Sequence, residues 1–256
     1  MDRESSAAGI TDEDLAPYRG RWIALLRGKV IAQGGTPKQV NAAAQAGRFK
    51  EVPKIMFVPM QESLSFPELF TRVVEEIPDG LPAYLAGGAV RDALLGRPVH
   101  DMDFVLFGKV LSVSRRIADR IGAAYYPLDE ERQTARLVLI AQDGSRQIID
   151  FSSPRGEDLE SDLRARDFTI NAMAVDVRRS QELLDPLGGA SDLTQRLLRT
   201  TTGHSLEDDP VRMLRGIRLS AQFNLRILPE TRDLMRKASN HLNRISPERL
   251  RDEIFR

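Results

Sequence analysis

The sequence predicts a fold that mixes strands and helices, α/β or α+β, ending in a helical region, and three observations point there. Apolar stretches of β type alternate with amphipathic helical stretches from residue 22 to about 150. A turn over Gln142 to Ser145 separates two strand-like runs, ARLVLIA and RQIIDFS, as a hairpin does. From Leu206 onward the apolar spacing is almost wholly helical. A chain of 256 residues has material for one large or two to three smaller domains.

Residues 1–14 are polar, acidic and aperiodic, and are expected to be a disordered lead-in. Residues 15–62 read as a small ββαβ unit: WIALLRGKVIAQGG is a hairpin turning at Arg27 to Lys29, Thr36 and Pro37 open a helix that closes at Gly47, and KIMFVPM returns as a strand. Its single tryptophan, Trp22, is expected in the core rather than against a ligand. No chemistry is evident in this unit. FPELFTRVVEEI, residues 66–77, has helical spacing between Pro67 and Pro78. The chain then enters YLAGGAVRDALLGRPVHDMDFVLF, residues 84–107, where a strand stops at Gly87 and Gly88, a short helix follows, and a second strand carries Asp101 and Asp103. Val110 to Ile121 is an amphipathic helix closed by Gly122, AAYYPLD is a strand, and the later hairpin places Asp150 at the end of its second strand. A first division falls near residue 62 and a second near residue 200, giving 63–200 and a helical 201–256.

Composition removes several function classes. Lys plus Arg number 37 against 37 Asp plus Glu, so net charge gives no reason to expect nucleic acid, and any basic surface must be local. Without cysteine there is no thiol catalysis, disulfide or thiolate zinc site, and three scattered histidines make a histidine-based metal site a poor fit. His100, beside Asp101, is assigned a surface or supporting position. No apolar run approaches the roughly 20 residues that span a bilayer, and the first residues lack a basic-then-apolar leader, so a cytoplasmic protein with no membrane partner is expected. Oligomeric state is not set by the sequence.

The glycine pair lets the backbone turn sharply and approach a ligand closely, and amides of a following helix can face phosphate. By itself such a pair is most often a turn. Asp101 and Asp103, two apart on a strand, leave the same face. They could form a solvated acidic edge, but the flanking Phe104 to Phe107 are apolar, and burying unpaired carboxylates is costly unless a cation offsets it. Two oxygen-ligated Mg²⁺ ions there would clamp a nucleoside triphosphate and activate a hydroxyl.

GGAVRDALLGRPVHDMDF resembles the signature of class II nucleotidyltransferases, the bacterial CCA-adding enzymes and poly(A) polymerases. RARDFTINAMAVD, DPLGGASDL and DDPVRMLRGIRLSAQF resemble that family's later blocks, in the same order. The resemblance covers about residues 66–256. It implies an α+β fold with a polymerase-beta-like palm built on a mixed sheet, followed by an all-α neck that is expected to be truncated, because ISPERLRDEIFR stops within a helical pattern.

By the same resemblance, Asp101 and Asp103 are the metal ligands and catalytic carboxylates. Asp150 is a third carboxylate or a hydrogen-bonded strand-end aspartate. Gly87, Gly88, Arg91 and Arg166 bind the triphosphate, although Ala165 stands where the family has a first arginine. Asp209, Arg212, Arg215 and Arg218 recur every three residues on a helix and read the base, with Asp208 where the family usually has Glu. A carboxylate accepts from the exocyclic amine of cytosine or adenine while an arginine donates beside it; uracil and guanine would leave these groups unpaired, at about 1–3 kcal/mol each. The implied activity is template-independent addition of CMP or AMP, from CTP and ATP with Mg²⁺, to an RNA 3′ end, foremost tRNA. The alternatives are poly(A), A-only or C-only addition and, from a different class, a non-catalytic nucleotide-binding regulatory protein.

Overall fold

In a computed structural model, the structure describes residues 10, 12–58, 63–140 and 144–255. A helical turn (α1, Asp12–Leu15) precedes a three-stranded antiparallel sheet of order β2-β1-β3, made by β1 (Arg21–Leu26), β2 (Lys29–Gly34) and β3 (Lys54–Val58). One face is crossed by α2 (Pro37–Ala46), whose Thr36 hydroxyl accepts from Gln39 N at 3.2 Å and whose Val40 and Ala44, one turn apart, are buried. Trp22 belongs to this core, its ring 5.6 Å from that of Phe57.

The next stretch supplies α3 (Glu68–Glu75), β4 (Ala83–Ala86), α4 (Gly88–Leu94), β5 (Asp101–Leu106), α5 (Val110–Ile121), β6 (Ala124–Asp129), β7 (Thr134–Ile140) and β8 (Arg146–Ser152). It continues through α6 (Leu159–Arg164), β9 (Ala174–Asp176), β10 (Leu183–Leu184), α7 (Gly189–Thr194) and β11 (Leu197–Leu198). Seven of these strands form one mixed sheet of order β10-β9-β4-β5-β8-β7-β6, in which β5 and β8 are parallel and the other neighbours antiparallel.

Period-two alternation decides what each face of this sheet carries. Met102, Phe104 and Leu106 of β5, with Ile149 and Phe151 of β8 and Leu137 of β7, pack into the main core beneath α3 and α5. The rings of Phe104 and Phe151 stack at 5.2 Å. Each such fully buried side chain contributes about 1.5–3 kcal/mol. Residues of opposite parity point to the other face. There Val105 and Ala86 pack with Leu163, Ala172 and Ala174, while Asp101, Asp103 and Asp150 carry the polar groups.

The last stretch holds α8 (Ser205–Asp208), α9 (Val211–Phe223), α10 (Pro229–Ser239) and α11 (Pro247–Ile254). The expected all-α neck needs one correction: Arg226–Ile227 form β12, paired parallel with β11. Asn224, at φ 52°, ends α9 in a left-handed turn, and Arg226 N then reaches Arg196 O at 2.7 Å. A two-residue strand has no periodicity to detect. Of the expected lead-in, residues 1–9 and 11 lie outside the described residues, as do residues 59–62 after β3 and 141–143 in the later hairpin turn. No helix among the described residues is long and apolar enough to cross a membrane.

Candidate active site

Strand register assembles the acidic centre. Across the middle of the large sheet, Ala86 of β4 pairs with Asp103 of β5, Asp103 with Asp150 of β8, and Asp150 with Arg136 of β7. The three polar side chains of that row share one face, with Asp101 two residues before Asp103 on the same side. Asp101 is exposed, whereas Asp103 is partly buried. Burial pushes the Asp103 carboxyl above the ordinary aspartate range; the Arg166 guanidinium opposes this, and Asp150 and Asp101 add to it. Arg136 holds Asp150 through a two-pronged bond, Nε to Oδ1 and Nη2 to Oδ2, each 2.7 Å. Asp150 is therefore both Asp103's neighbour and an anchored strand residue.

Gly87 closes the row on the β4 side. Its backbone, at φ 79° and ψ −135°, is one that only glycine adopts readily, and its N–H donates to Met173 O at 3.0 Å. A Cβ there would stand 2.8 Å from Arg166 Nη1 and 3.4 Å from Asp103 Oδ2, so the missing side chain lets three site groups converge. Arg166 is aimed by Asp162, a buried residue four positions earlier, which accepts from its Nε at 3.1 Å and its Nη2 at 3.0 Å. Gly88 opens α4 directly beside this turn.

Arg91, expected against a triphosphate, is engaged by protein groups. It is buried, donates to Asn171 Oδ1 at 2.6 Å and to both oxygens of Asp92 at 2.9 and 3.0 Å, and lies 4.4 Å over the Phe223 ring. Burial lowers its pKa, with Asp92 opposing. Through Asn171 the chain of bonds continues to buried Asp167, which also accepts from Phe168 N at 2.7 Å and from Arg215 Nη1 at 3.0 Å. Burial alone would push the Asp167 carboxyl up, but Arg215 and the Asn171 and Phe168 donors hold it below the ordinary range.

The expected base-reading residues do not all present one open face. Asp209 caps the end of α8 and precedes α9, so it is not on the same helix as the three arginines. Its Oδ2 accepts from Arg249 Nη2 of α11 at 2.6 Å. Arg212 donates to the carbonyls of Ser205 (3.0 Å), Ala165 (3.1 Å) and Arg166 (3.3 Å), which ties the start of α9 to the backbone of the residue facing Gly87. Arg215 and Arg218 turn onto buried Glu253 of α11, at 3.2 and 2.7 Å, and join α9 to α11. The structure thus gathers Gly87, Asp101, Asp103, Asp150 and Arg166 at one place, with Arg212 joined to it through the 165–166 backbone and Asp209 held by Arg249, and has Arg91, Arg215 and Arg218 bonded to protein groups around it.

Sequence reasoning passed over Arg136, Asp162, Asn171, Arg249 and Glu253. Asp162 could have been found four residues before Arg166, and Arg136 from the hairpin register opposite Asp150. Nothing local marked Glu253. Among the described residues, no three histidine or carboxylate side chains are arranged to share a metal ion, so any cation site here rests on the pair Asp101 and Asp103. A cavity of about 560 Å³ lies elsewhere, between Trp22 and Pro37 on one side and Tyr84, Phe107 and Leu184 on the other.

Residues 83–199 match the Poly A polymerase head domain, and residues 224–256 the family described as the probable RNA and SrmB- binding site of polymerase A. Residues 14–61 match a family of unknown function, DUF5678. The chain is 43% identical over 177 residues to a CC-adding tRNA nucleotidyltransferase of Geobacter sulfurreducens, covering 69% of this chain and 40% of that protein. It is 35% identical over 175 residues to an A-adding tRNA nucleotidyltransferase of Aquifex aeolicus, covering 62% of this chain and 21% of that one. The chain therefore spans less than half the length of these curated relatives. Among solved structures, a tRNA nucleotidyltransferase complexed with a primer tRNA and an incoming ATP analog aligns with a TM-score of 0.60 at 35% identity, over 72% of this chain and 54% of that one. The Thermotoga maritima CCA-adding enzyme complexed with tRNA aligns with a TM-score of 0.62 at 33% identity, over 72% and 44%.

Proposed function

We propose that this chain, a member of the Poly A polymerase head-domain family by residues 83–199, transfers CMP and AMP from CTP and ATP to the 3′-hydroxyl of tRNA, in the cytoplasm and without a template. The observation that carries this reading is the convergence of Asp103, Gly87 and Arg166 on one face of the sheet. A carboxylate that burial pushes up, flanked by two further carboxylates, is one whose charge a divalent cation would relieve, so the residues present fit Mg²⁺ held by Asp101 and Asp103. When bound, the ion would neutralise triphosphate charge and favour ionisation of the attacking hydroxyl.

The chain's own residues set the rest. The open backbone at Gly87 admits the phosphates close to β4, and Arg166, aimed by Asp162, supplies positive charge beside them. The bond from the 3′ oxygen to the α-phosphorus forms as the bond to the β-phosphate oxygen breaks, and pyrophosphate leaves with that electron pair. Asp209 and Arg212 read the base: Asp209 accepts a hydrogen bond from an exocyclic amine, and Arg212, held by three carbonyls, donates beside it. Arg249 holds Asp209 in orientation through its Oδ2. Arg91, one turn into the helix that Gly88 opens, is held by Asp92 and Asn171.

Incubating the protein and tRNA lacking its 3′ end with each nucleoside triphosphate in turn tests the proposal. Addition from CTP, then ATP, and loss of both in Asp101→Ala plus Asp103→Ala, is expected. Metal-dependent binding of ATP and CTP with no incorporation would replace it with a regulatory nucleotide-binding role. A second reading, C addition alone, is favoured by the 43% identity to a CC-adding relative; arrest after CTP, with no use of ATP, would select it.

A further inference from the structure

The transfer chemistry leaves residues 14–61 without a role, yet their charge is unlike that of the rest of the molecule. In a chain whose 37 Lys plus Arg balance 37 Asp plus Glu, this stretch holds eight basic residues against only Asp14 and Glu51. All eight are exposed. An excess so concentrated is not needed to keep a neutral chain in solution, and it creates a local positive field.

Topology sorts five of the eight to one end. Leu26 pairs with Lys29, and Leu25 with Lys54, so the β1–β2 turn and the start of β3 share an end of the small sheet. The segment leaving α2 runs to that same end and brings Arg48 and Lys50. Arg27 in the hairpin turn grips Glu51 through Nε (3.1 Å) and Nη2, fastening the turn to the segment. Phe49 packs its ring over Gly47, where a Cβ would meet it at 2.3 Å, yet stays 45% exposed. At the other end the small sheet meets α7 and its cap: the Thr194 hydroxyl of α7 donates to Gly20 O at 3.4 Å, and a Cβ on Gly188 would come within 2.9 Å of Gly35 O. The basic end is thus the one turned away from this joint.

We propose that this basic tip is an RNA-docking surface that grips the sugar-phosphate backbone of the acceptor RNA. That the RNA is the acceptor rests on the transfer reading above; that the partner is a polyanion rests on charge alone. Five cations, one of them paired with Glu51, spread over three chain segments rather than converging on one point, and they suit a run of phosphates better than a single nucleotide. A part-exposed phenylalanine between Arg48 and Lys50 offers a base a ring to stack on. A membrane fits less well, since the outer face of α2 carries Asn41, Ala42, Ala43 and Gln45 rather than an apolar band with basic flanks.

The test is the salt dependence of binding to tRNA lacking its 3′ end, by fluorescence anisotropy without added nucleotide, on the full chain. Lys29→Gln, Arg48→Gln, Lys50→Gln and Lys54→Gln are combined, leaving the Arg27 and Glu51 pair intact. A control removes the same charge from exposed Arg115, Arg120, Arg132 and Arg179. The tip variant is expected to lower the log–log salt slope by about 3, from about 0.7–0.9 per contact, and to bind at least about tenfold more weakly in 0.1 M salt, while the control keeps its slope. If the fourfold variant does not fold, Lys50→Gln with Lys54→Gln should lower the slope by about half as much. A slope unchanged in a folded tip variant, equal losses in tip and control, or loss of binding to phosphatidylserine vesicles with tRNA binding intact would each overturn the proposal. Nucleotide incorporation by the unmodified chain is measured in parallel. Incorporation with an unchanged slope sinks the docking surface alone, and a lowered slope without incorporation sinks the transfer reading alone.

Discussion

Gly87→Ala isolates the geometry on which the candidate site depends. Two costs are separable. The first is the backbone: φ 79° and ψ −135° disfavour any Cβ, at about 1–3 kcal/mol. The second is contact, because the added carbon would lie 2.8 Å from Arg166 Nη1. An arginine end can ordinarily swing aside, but this one is fixed by Asp162 at 3.1 and 3.0 Å, so yielding weakens charge-assisted bonds worth about 1.5–3 kcal/mol. A loss of about 2–4 kcal/mol is expected. Gly122→Ala supplies the reference, since Gly122 has φ 75° with nothing within 4 Å of its Cβ position, leaving strain alone at about 1–2 kcal/mol. Urea unfolding of both variants measures the difference, which should be about 1–2 kcal/mol. Nucleotide incorporation should fall about a hundredfold in Gly87→Ala, the scale of an ångström's misplacement, and stay near wild type in Gly122→Ala. Equal unfolding losses, or incorporation by Gly87→Ala within about threefold of wild type, would refute the convergence of Gly87, Arg166 and Asp103 as the basis of the site.

Three further outcomes follow from the charges. Asp103→Asn should abolish detectable incorporation while leaving the urea midpoint at neutral pH unchanged or higher, because burial already disfavours the charge it removes; a large loss of stability would contradict that electrostatic account. Glu253→Gln should destabilise by about 2 kcal/mol, less than a fully buried pair would cost, since the Arg215 and Arg218 side chains stay 34% and 24% exposed. A midpoint unchanged by that substitution would mean α11 is not held by this bridge. Asp167 is held below its ordinary value in the folded protein, so its contribution is present in full above its unfolded pKa and is lost as pH falls through the lower folded value. The loss therefore falls below about pH 4, and Asp167→Asn should flatten that acid limb of the stability curve; an acid limb identical to wild type would sink the assignment.

What could be read from the sequence was set by how local the determining forces are. The helix ending at Gly122 and the strands around Asp103 and Asp150 follow from apolar period and turn chemistry within a dozen or so residues, and they stand where expected. That Asp103 and Asp150 lie side by side was not legible, because it depends on the parallel register of β5 with β8, set by packing of Phe104 against Phe151 and not by any nearby turn. β12 escaped notice for a related reason: its two residues are a strand only because β11 lies alongside.

The arginines of α9 show where spacing stops being informative. A recurrence every three residues says that side chains share a face, and it is silent about what that face meets. Arg215 and Arg218 meet Glu253, 38 and 35 residues away, and Arg215 also meets Asp167, 48 residues back. The basic helical face expected to read the base meets carboxylates of the protein itself. The partner helix presents both contacts on one side: Arg249 and Glu253 lie one turn apart on α11, the first on Asp209 and the second on Arg215 and Arg218. One short helix therefore fixes both the carboxylate assigned to the base and the arginines behind it, which is why altering Glu253 should be felt in nucleotide choice as well as in stability.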